Sequence, residues 1–217
     1  MLKIVYQGND FKKIQKYVLE AFDFVHQYFL IEISDVVVTI YTSRLEFDKY
    51  LSMKTEAWLV ANASNNNEIA ILSPQVLESD SSHSAKDFLP ILKHEFSHLF
   101  VDTIAKGKSV PKWLDEGLAS YVAKHHQREE AVHIKEGFCK ELATDEGWHR
   151  NIDKGAYVVA AKFVDFLIKK RSLKEIVQLI ESLGKSYDYK RFEQTFFNIY
   201  NTSLKDFETF FITSLNG

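Results

Sequence analysis

The chain has 217 residues, of which 46% are hydrophobic, and its 27 basic and 30 acidic side chains leave a net charge of −3. This balance provides no basic stripe for a phosphate backbone, so nucleic acid is not an expected partner. With one cysteine, no run of eighteen apolar residues and no apolar secretory core in the first ten residues, we expect a cytoplasmic protein without disulfides or membrane spans.

Periodicity predicts that strands and helices alternate in the first part of the chain. Strands are predicted at 2–6, 36–41, 58–63 and 69–72, and the last two flank a polar turn typical of a hairpin. Asp10 is predicted to cap a first helix, and Thr42 or Ser43 a second. Pro74 and the serine-rich stretch 79–84 are predicted to form a loop.

The rest of the chain is predicted to be helical. Helices are expected at 87–105, 113–126, 129–143, 154–170, 173–183, 189–200 and 204–215. The predicted fold class is therefore α+β, with a small N-terminal α/β lobe whose sheet is mostly antiparallel or mixed. We interpret 1–217 as a single domain, with an α/β lobe at 1–85, two site-bearing helices at 86–126 and an all-helical lobe at 127–217.

The predicted helix at 87–105 carries the pattern His-Glu-x-x-His as His94, Glu95 and His98. Histidines four positions apart lie on one helical face, near enough for both imidazoles to bind one zinc ion. Glu95 projects beside them, where a carboxylate can act as general base toward a metal-bound water. The plainer interpretation is a surface pair of histidines next to a solvated glutamate.

A second segment, Lys-Trp-Leu-Asp-Glu-Gly-Leu-Ala-Ser-Tyr at 112–121, supplies Glu116 as a candidate third ligand. Gly107 and Pro111 interrupt the helices and allow the second to fold back against the first. Three protein ligands and one open position are what a catalytic zinc requires. The plainer interpretation of Glu116 is a solvated glutamate favoured near the start of a helix.

These two segments, 94–98 and 111–121, resemble the gluzincin zinc metallopeptidases, and within them the small peptidase MA-like domains related to thermolysin and aminopeptidase N. The resemblance covers roughly residues 36–183. It implies a zincin-like fold, one Zn²⁺ per chain held by His94, His98 and Glu116, and Glu95 as the residue that activates water. It also implies a peptide or protein substrate, bound along the strand at 58–63 by strand addition.

The chain departs from these relatives at several places, among them the spacing of seventeen residues between His98 and Glu116, which is shorter than in aminopeptidase N or thermolysin relatives. Residues 60–64 read Val-Ala-Asn-Ala-Ser, where aminopeptidase N has a Gly-Ala-Met-Glu-Asn strand that recognises a free amino terminus. Aminopeptidase activity is therefore not expected. Ser120 stands where thermolysin relatives place an aspartate that orients a histidine; a serine can accept an imidazole N–H but orients it less strongly.

Two residues are candidates for the donor that stabilises the oxyanion of peptide hydrolysis. Tyr157 is the first, because the segment that begins at Lys154 resembles the family's downstream helix. His149 is the second. The plainer interpretations are an amphipathic core tyrosine and an exposed loop histidine.

A further histidine-rich stretch, 124–130 with His133, is interpreted as a solvated helix face rather than a second metal site. Cys139 lies on an apolar face and is interpreted as a packing residue.

The leading hypothesis is thus a zinc-dependent metallohydrolase, most simply a peptidase. The alternative is a non-catalytic zinc-binding or protein-interaction module with the same fold. A metal-free helical scaffold would require both motifs to be coincidental.

Overall fold

A computed structural model of the chain describes residues 1–64, 66–124 and 134–215. The four strands are β1 (Leu2–Tyr6), β2 (Val36–Tyr41), β3 (Ala61–Ser64) and β4 (Glu68–Leu72). The helices are α1 (Phe11–Phe29), α2 (Arg44–Leu51), α3 (Pro74–Asp80), α4 (Phe88–Ala105), α5 (Lys112–Val122), α6 (Phe138–Glu141), α7 (Asp145–His149), α8 (Ala156–Lys170), α9 (Leu173–Glu181), α10 (Tyr189–Tyr200) and α11 (Leu204–Leu215). The predicted α+β class is confirmed.

The chain divides into two compact units, Met1–Phe100 and Val101–Gly217. In the first unit the strands form one sheet in the order β1-β2-β4-β3. Strands β1, β2 and β4 are parallel, and β3 pairs antiparallel with β4. The sheet is therefore mixed. Within the described residues, no helix combines the length and apolar character needed to cross a bilayer.

The core of the first unit is formed by buried apolar residues of the sheet and of helices α1 and α4. Along β2, Val36, Val38 and Ile40 are buried and alternate with partly exposed residues, as expected of a strand with one inward face. Helix α1 buries an apolar stripe at helical spacing. Its Phe22 lies against Phe96 and Phe100 of α4, with ring centroids 5.5 and 6.0 Å apart. Phe96 and Phe100 are both fully buried, so this contact belongs to the core.

The second unit has an aromatic core. Its principal members, Trp113, Phe138, Phe163, Phe192, Phe196, Tyr200, Phe207 and Phe211, are all buried. Trp113 of α5 lies 5.3 Å from the ring of Phe163 of α8 and 6.0 Å from that of Phe192 of α10. Large aromatic rings from different helices thus fill the space between them, and two of these rings pack on Trp113 of α5.

Several sequence-based boundaries were wrong. The predicted loop at Pro74 is helix α3, because Pro74 occupies the first turn and Ser73 caps it by accepting the Val76 N–H. The third strand begins at Ala61, and Trp58 lies in a turn. Asp10 precedes α1 but does not cap it with its side chain, since that carboxylate accepts from the Tyr6 hydroxyl at 2.6 Å.

The helix predicted at 129–143 also differs from the structure. Residues 125–133 lie outside the described part of the chain, and the remainder contains only the short helix α6. A second short helix, α7, follows at once, and Thr144 caps it by accepting the Gly147 N–H. The residues of both helices are too few for periodicity to reveal them.

One buried carboxylate ties the last helix to α6. Glu208 of α11 is 2% exposed and accepts from the backbone N–H groups of Gly137 at 3.0 Å and Cys139 at 2.8 Å. These donors are at the start of α6, where a helix has no internal acceptors. Glu208 therefore supplies the cap that Gly137 lacks.

We expect Glu208→Ala to lower the free energy of unfolding by about 2–4 kcal/mol, because one buried and one partly buried N–H group would lose their acceptor. Chemical denaturation measures this directly. Lys205→Ala, which removes an exposed side chain from the same helix, should change stability by less than about 0.5 kcal/mol. Equal effects of the two substitutions would contradict the capping role.

Candidate metal centre

Helix α4, which carries the histidine motif, has a well-defined start. A single 3₁₀ turn at Ala85–Asp87 leads into it, and Ser84 and Asp87 close this turn by a reciprocal capping box. The Ser84 N–H and hydroxyl donate to Asp87 at 2.8 and 2.9 Å. Burial alone would raise the pKa of Asp87, but these hydrogen bonds outweigh it and lower the pKa.

The two histidines lie on one face of α4, as their spacing predicted. Their ring centroids are 4.8 Å apart, and the rings are inclined at 78°. Between them, Phe96 is fully buried against α1 and Ser97 donates to the Lys93 carbonyl at 2.7 Å. Glu95 is only 8% exposed. The motif is therefore not the exposed histidine pair with a solvated glutamate that we considered as the plainer interpretation.

Helix α5, which carries Glu116, begins without a side-chain cap. Carbonyl groups from a distant part of the chain take that role: Lys112 N–H donates to the Ala143 oxygen at 2.9 Å, and Trp113 N–H to the Leu142 oxygen at 3.0 Å. The first turn of α5 is thereby fixed to the segment between α6 and α7. These two hydrogen bonds fix α5 one helical turn before Glu116.

On its other side α5 lies directly on α8, and Gly117 makes this possible. A Cβ atom at Gly117 would lie 2.7 Å from the Ala160 carbonyl oxygen and 2.8 Å from Cγ2 of Val164. Both distances are shorter than real Cβ contacts allow. Only a glycine permits this approach, and it is adjacent in sequence to the candidate ligand.

The geometry brings the three predicted ligands together. His94, His98 and Glu116 each offer one ligand atom, and these atoms lie within 4.8 Å of one another. Glu116 is buried, with 6% of its surface exposed. Two imidazole nitrogens and one carboxylate oxygen are the donor set of many open zinc sites, so the residues present fit a divalent metal ion.

A residue that the sequence analysis did not identify contacts this group. Lys112 Nζ lies 2.9 Å from Oε1 of Glu116, one turn away on α5, and its side chain is 29% exposed. Burial would lower the pKa of Lys112, but the carboxylates of Glu116 and Asp115 outweigh it and raise the pKa, so the amine carries its proton. The spacing of Lys112 and Glu116 in the sequence was the available signal.

The candidate oxyanion donors remain predictions. Tyr157 lies in the first turn of α8, half-buried, with its ring edge-on to Trp148 at 4.9 Å between centroids. His149 is exposed at the end of α7, and its Nδ1 lies 2.7 Å from the Asp145 carbonyl oxygen. His149 does not belong to the metal group found in the described residues.

Ser120 and Cys139 are two further residues that the sequence singled out. Ser120 is fully buried, and its hydroxyl makes no hydrogen bond to any described residue, the imidazoles of His94 and His98 included. Cys139 is completely buried, and burial followed by Glu208 raises the pKa of its thiol, in agreement with a packing role. The histidines of 124–130 and His133 lie outside the described residues.

Comparison with known proteins adds no relative. No protein-family model matches the chain, and neither a curated protein nor a solved structure is significantly similar to it.

We expect Gly117→Ala to destabilise the protein by about 1–3 kcal/mol, because the added methyl group must separate α5 from α8. In an exposed helix the same change would stabilise by about 1 kcal/mol, so the sign of the effect identifies the contact. Thermal or chemical denaturation is the measurement.

Gly184→Ala is the matched control, since the nearest atom to its added Cβ would be the flexible end of Arg191 at 3.3 Å. It should leave stability within about 0.5 kcal/mol of the parent protein. A neutral or stabilising Gly117→Ala would show that α5 and α8 are not so closely packed.

Proposed function

We propose that this protein is a zinc-dependent metallohydrolase, and within that class a peptidase. The observation that carries the proposal is the convergence of His94, His98 and Glu116 on one point. Three protein ligands leave a coordination position for water, which distinguishes a catalytic zinc site from a closed structural one. The resemblance of segments 94–98 and 111–121 to gluzincins supports the same assignment.

In this proposal zinc supplies Lewis acidity, which lowers the pKa of water and polarises a carbonyl group. Glu95 takes a proton from the attacking water and delivers it to the leaving amine. Glu95 directly follows His94 on α4 and is almost completely buried. Burial keeps bulk water from competing for its carboxylate.

A peptide is the proposed substrate because the sheet ends in a short strand suited to strand addition. Strand β3 is last in the order β1-β2-β4-β3, and among the described residues its outer edge has no ladder partner. The backbone groups along Ala61–Ser64 are thus available to an extended chain. The strand lacks the glutamate of aminopeptidases, so we propose recognition of internal peptide backbone rather than a free amino terminus.

The first test is metal content. We expect the parent protein to retain about one zinc per chain after incubation with the ion and removal of excess, by analogy with mononuclear sites of this donor set. Glu116→Ala and the isosteric Glu116→Gln should weaken zinc binding by at least ~100-fold, because even indirect partners of a ligand contribute 10–100-fold. Mass spectrometry of the native protein reads the stoichiometry.

The control for this test is Glu146→Gln, which alters an exposed carboxylate 3.9 Å from Arg150 on α7. It should bind zinc like the parent protein. A parent protein that takes up no zinc, or Glu116 variants that bind it normally, would refute the site.

The second test separates metal binding from hydrolysis. We expect Glu95→Gln to retain zinc but to lower kcat/KM by at least ~100-fold on any peptide that the parent cleaves, because general acid–base catalysis contributes roughly 10²–10⁴. Screening a peptide library identifies such a substrate. Full activity of Glu95→Gln would exclude Glu95 as the base.

A non-catalytic zinc-binding module is the second candidate function, and the state of Ser120 favours it. Ser120 stands where thermolysin relatives place an aspartate that orients a histidine, and it makes no hydrogen bond among the described residues. Poorly oriented ligands reduce catalytic efficiency. Stoichiometric zinc binding with no hydrolysis of the peptide library by the parent protein would support this function over the peptidase.

A further inference from the structure

We propose that Lys112 is the counter-ion of the metal-free site and that its charge lowers the affinity of the site for a divalent metal. This inference rests on the zinc site proposed above. It assigns a role to a residue outside the ligand set, and that role is to adjust how tightly metal is held.

The first step concerns the site without metal. Glu116 is a carboxylate with 8% of its side chain exposed, and an isolated charge in such a position is strongly unfavourable. Lys112 places an ammonium 2.9 Å from its Oε1 atom. In the absence of a metal ion, the ammonium of Lys112 therefore compensates the negative charge of the buried carboxylate.

The second step concerns the carboxylate oxygens. Because Lys112 holds Oε1, the ammonium and a metal ion share one carboxylate. Lys112 occupies part of the acceptor capacity of Oε1, and Oε2 keeps all of its lone pairs for a metal ion.

Lys112 can affect the affinity for a divalent metal in two opposite ways. A lysine that orients a ligand would strengthen metal binding, whereas an ammonium close to a dication would weaken it. Glu116 is already oriented by other means, namely the anchored first turn of α5 and the contact of Gly117 with α8. The lysine adds little orientation, and in a buried site repulsion between like charges is poorly screened. Repulsion therefore dominates.

The test measures zinc affinity by competition with a chromophoric chelator, which does not depend on activity. We expect Lys112→Met, which keeps the apolar stem and removes the charge, to bind zinc at least ~10-fold more tightly than the parent protein. Lys112→Arg retains the charge and should bind within about threefold of the parent. Lys174→Met removes an exposed lysine from α9 and should have no effect.

A second measurement addresses the counter-ion directly in metal-free protein, with thermal unfolding in the presence of a chelator. Lys112→Met should lower Tm, because the Glu116 carboxylate loses the ammonium 2.9 Å away, whereas the same substitution in a Glu116→Gln background should lower it much less. Added zinc should then raise the Tm of Lys112→Met by more than that of the parent, because stabilisation by a bound ligand grows with the logarithm of its affinity. If Lys112→Met does not fold, Lys112→Gln takes its place in both measurements.

The outcomes are distinguishable from those that test the zinc site. Equal or weaker zinc binding by Lys112→Met, with normal binding by the parent, would overturn the role of Lys112 and leave the metallohydrolase proposal intact. Equal Tm losses in the parent and Glu116→Gln backgrounds would overturn the counter-ion role. A parent protein that binds no zinc would overturn both proposals.

Discussion

The arrangement of the candidate site depends on one contact, the approach of Gly117 to the backbone of α8. The Ala160 carbonyl oxygen and the Val164 side chain occupy the space that any larger residue would need. Because proteins pack at nearly crystalline density, such a contact fixes the separation and rotation of the two helices together. Glu116 is the preceding residue on α5, so its direction is set by the same contact. A ligand supplied by a second helix can be positioned only by tertiary packing of this kind.

Hydrogen bonds extend this positioning through the second unit. The first N–H groups of α5 are bound to the Ala143 and Leu142 carbonyls, and the start of the following helix α6 is bound to Glu208. A helix end without acceptors is unstable when buried, and here each end is satisfied by a residue distant in sequence. The consequence is a continuous connection from α11 through α6 to the turn that precedes Glu116. Breaking any part of this connection would therefore disturb the position of Glu116 as well as the packing of the core.

The sequence predicted some parts of this structure and not others, for physical reasons. Strands β1 and β2 and the long helices α4 and α8 to α11 have apolar patterns that persist for several turns or alternations, and their predicted positions differ from the structure by a few residues. Helix α3 was missed because Pro74 suggested a break, although proline in a first turn following a serine cap is favourable. Helix α7 was missed, and α6 was predicted only as part of a longer helix, because the two short helices are stabilised by the Thr144 and Glu208 caps rather than by an apolar pattern. The histidine pair was predictable because four residues of helix determine its geometry, and Glu116 because its segment resembled a known motif.

Lys112 illustrates the limit of such reasoning. A lysine and a glutamate four residues apart are common on exposed helices, where each pair contributes only about 0.3–0.5 kcal/mol and carries no functional meaning. Nothing in the sequence distinguishes this pair from those. In the structure Glu116 has almost no contact with solvent, and a buried ion pair that loses one partner leaves an uncompensated charge worth several kcal/mol. The same four-residue spacing, which on an exposed helix gives a minor surface contact, here determines the charge in the site. The difference is burial, and burial arises from the packing of α5 on α8.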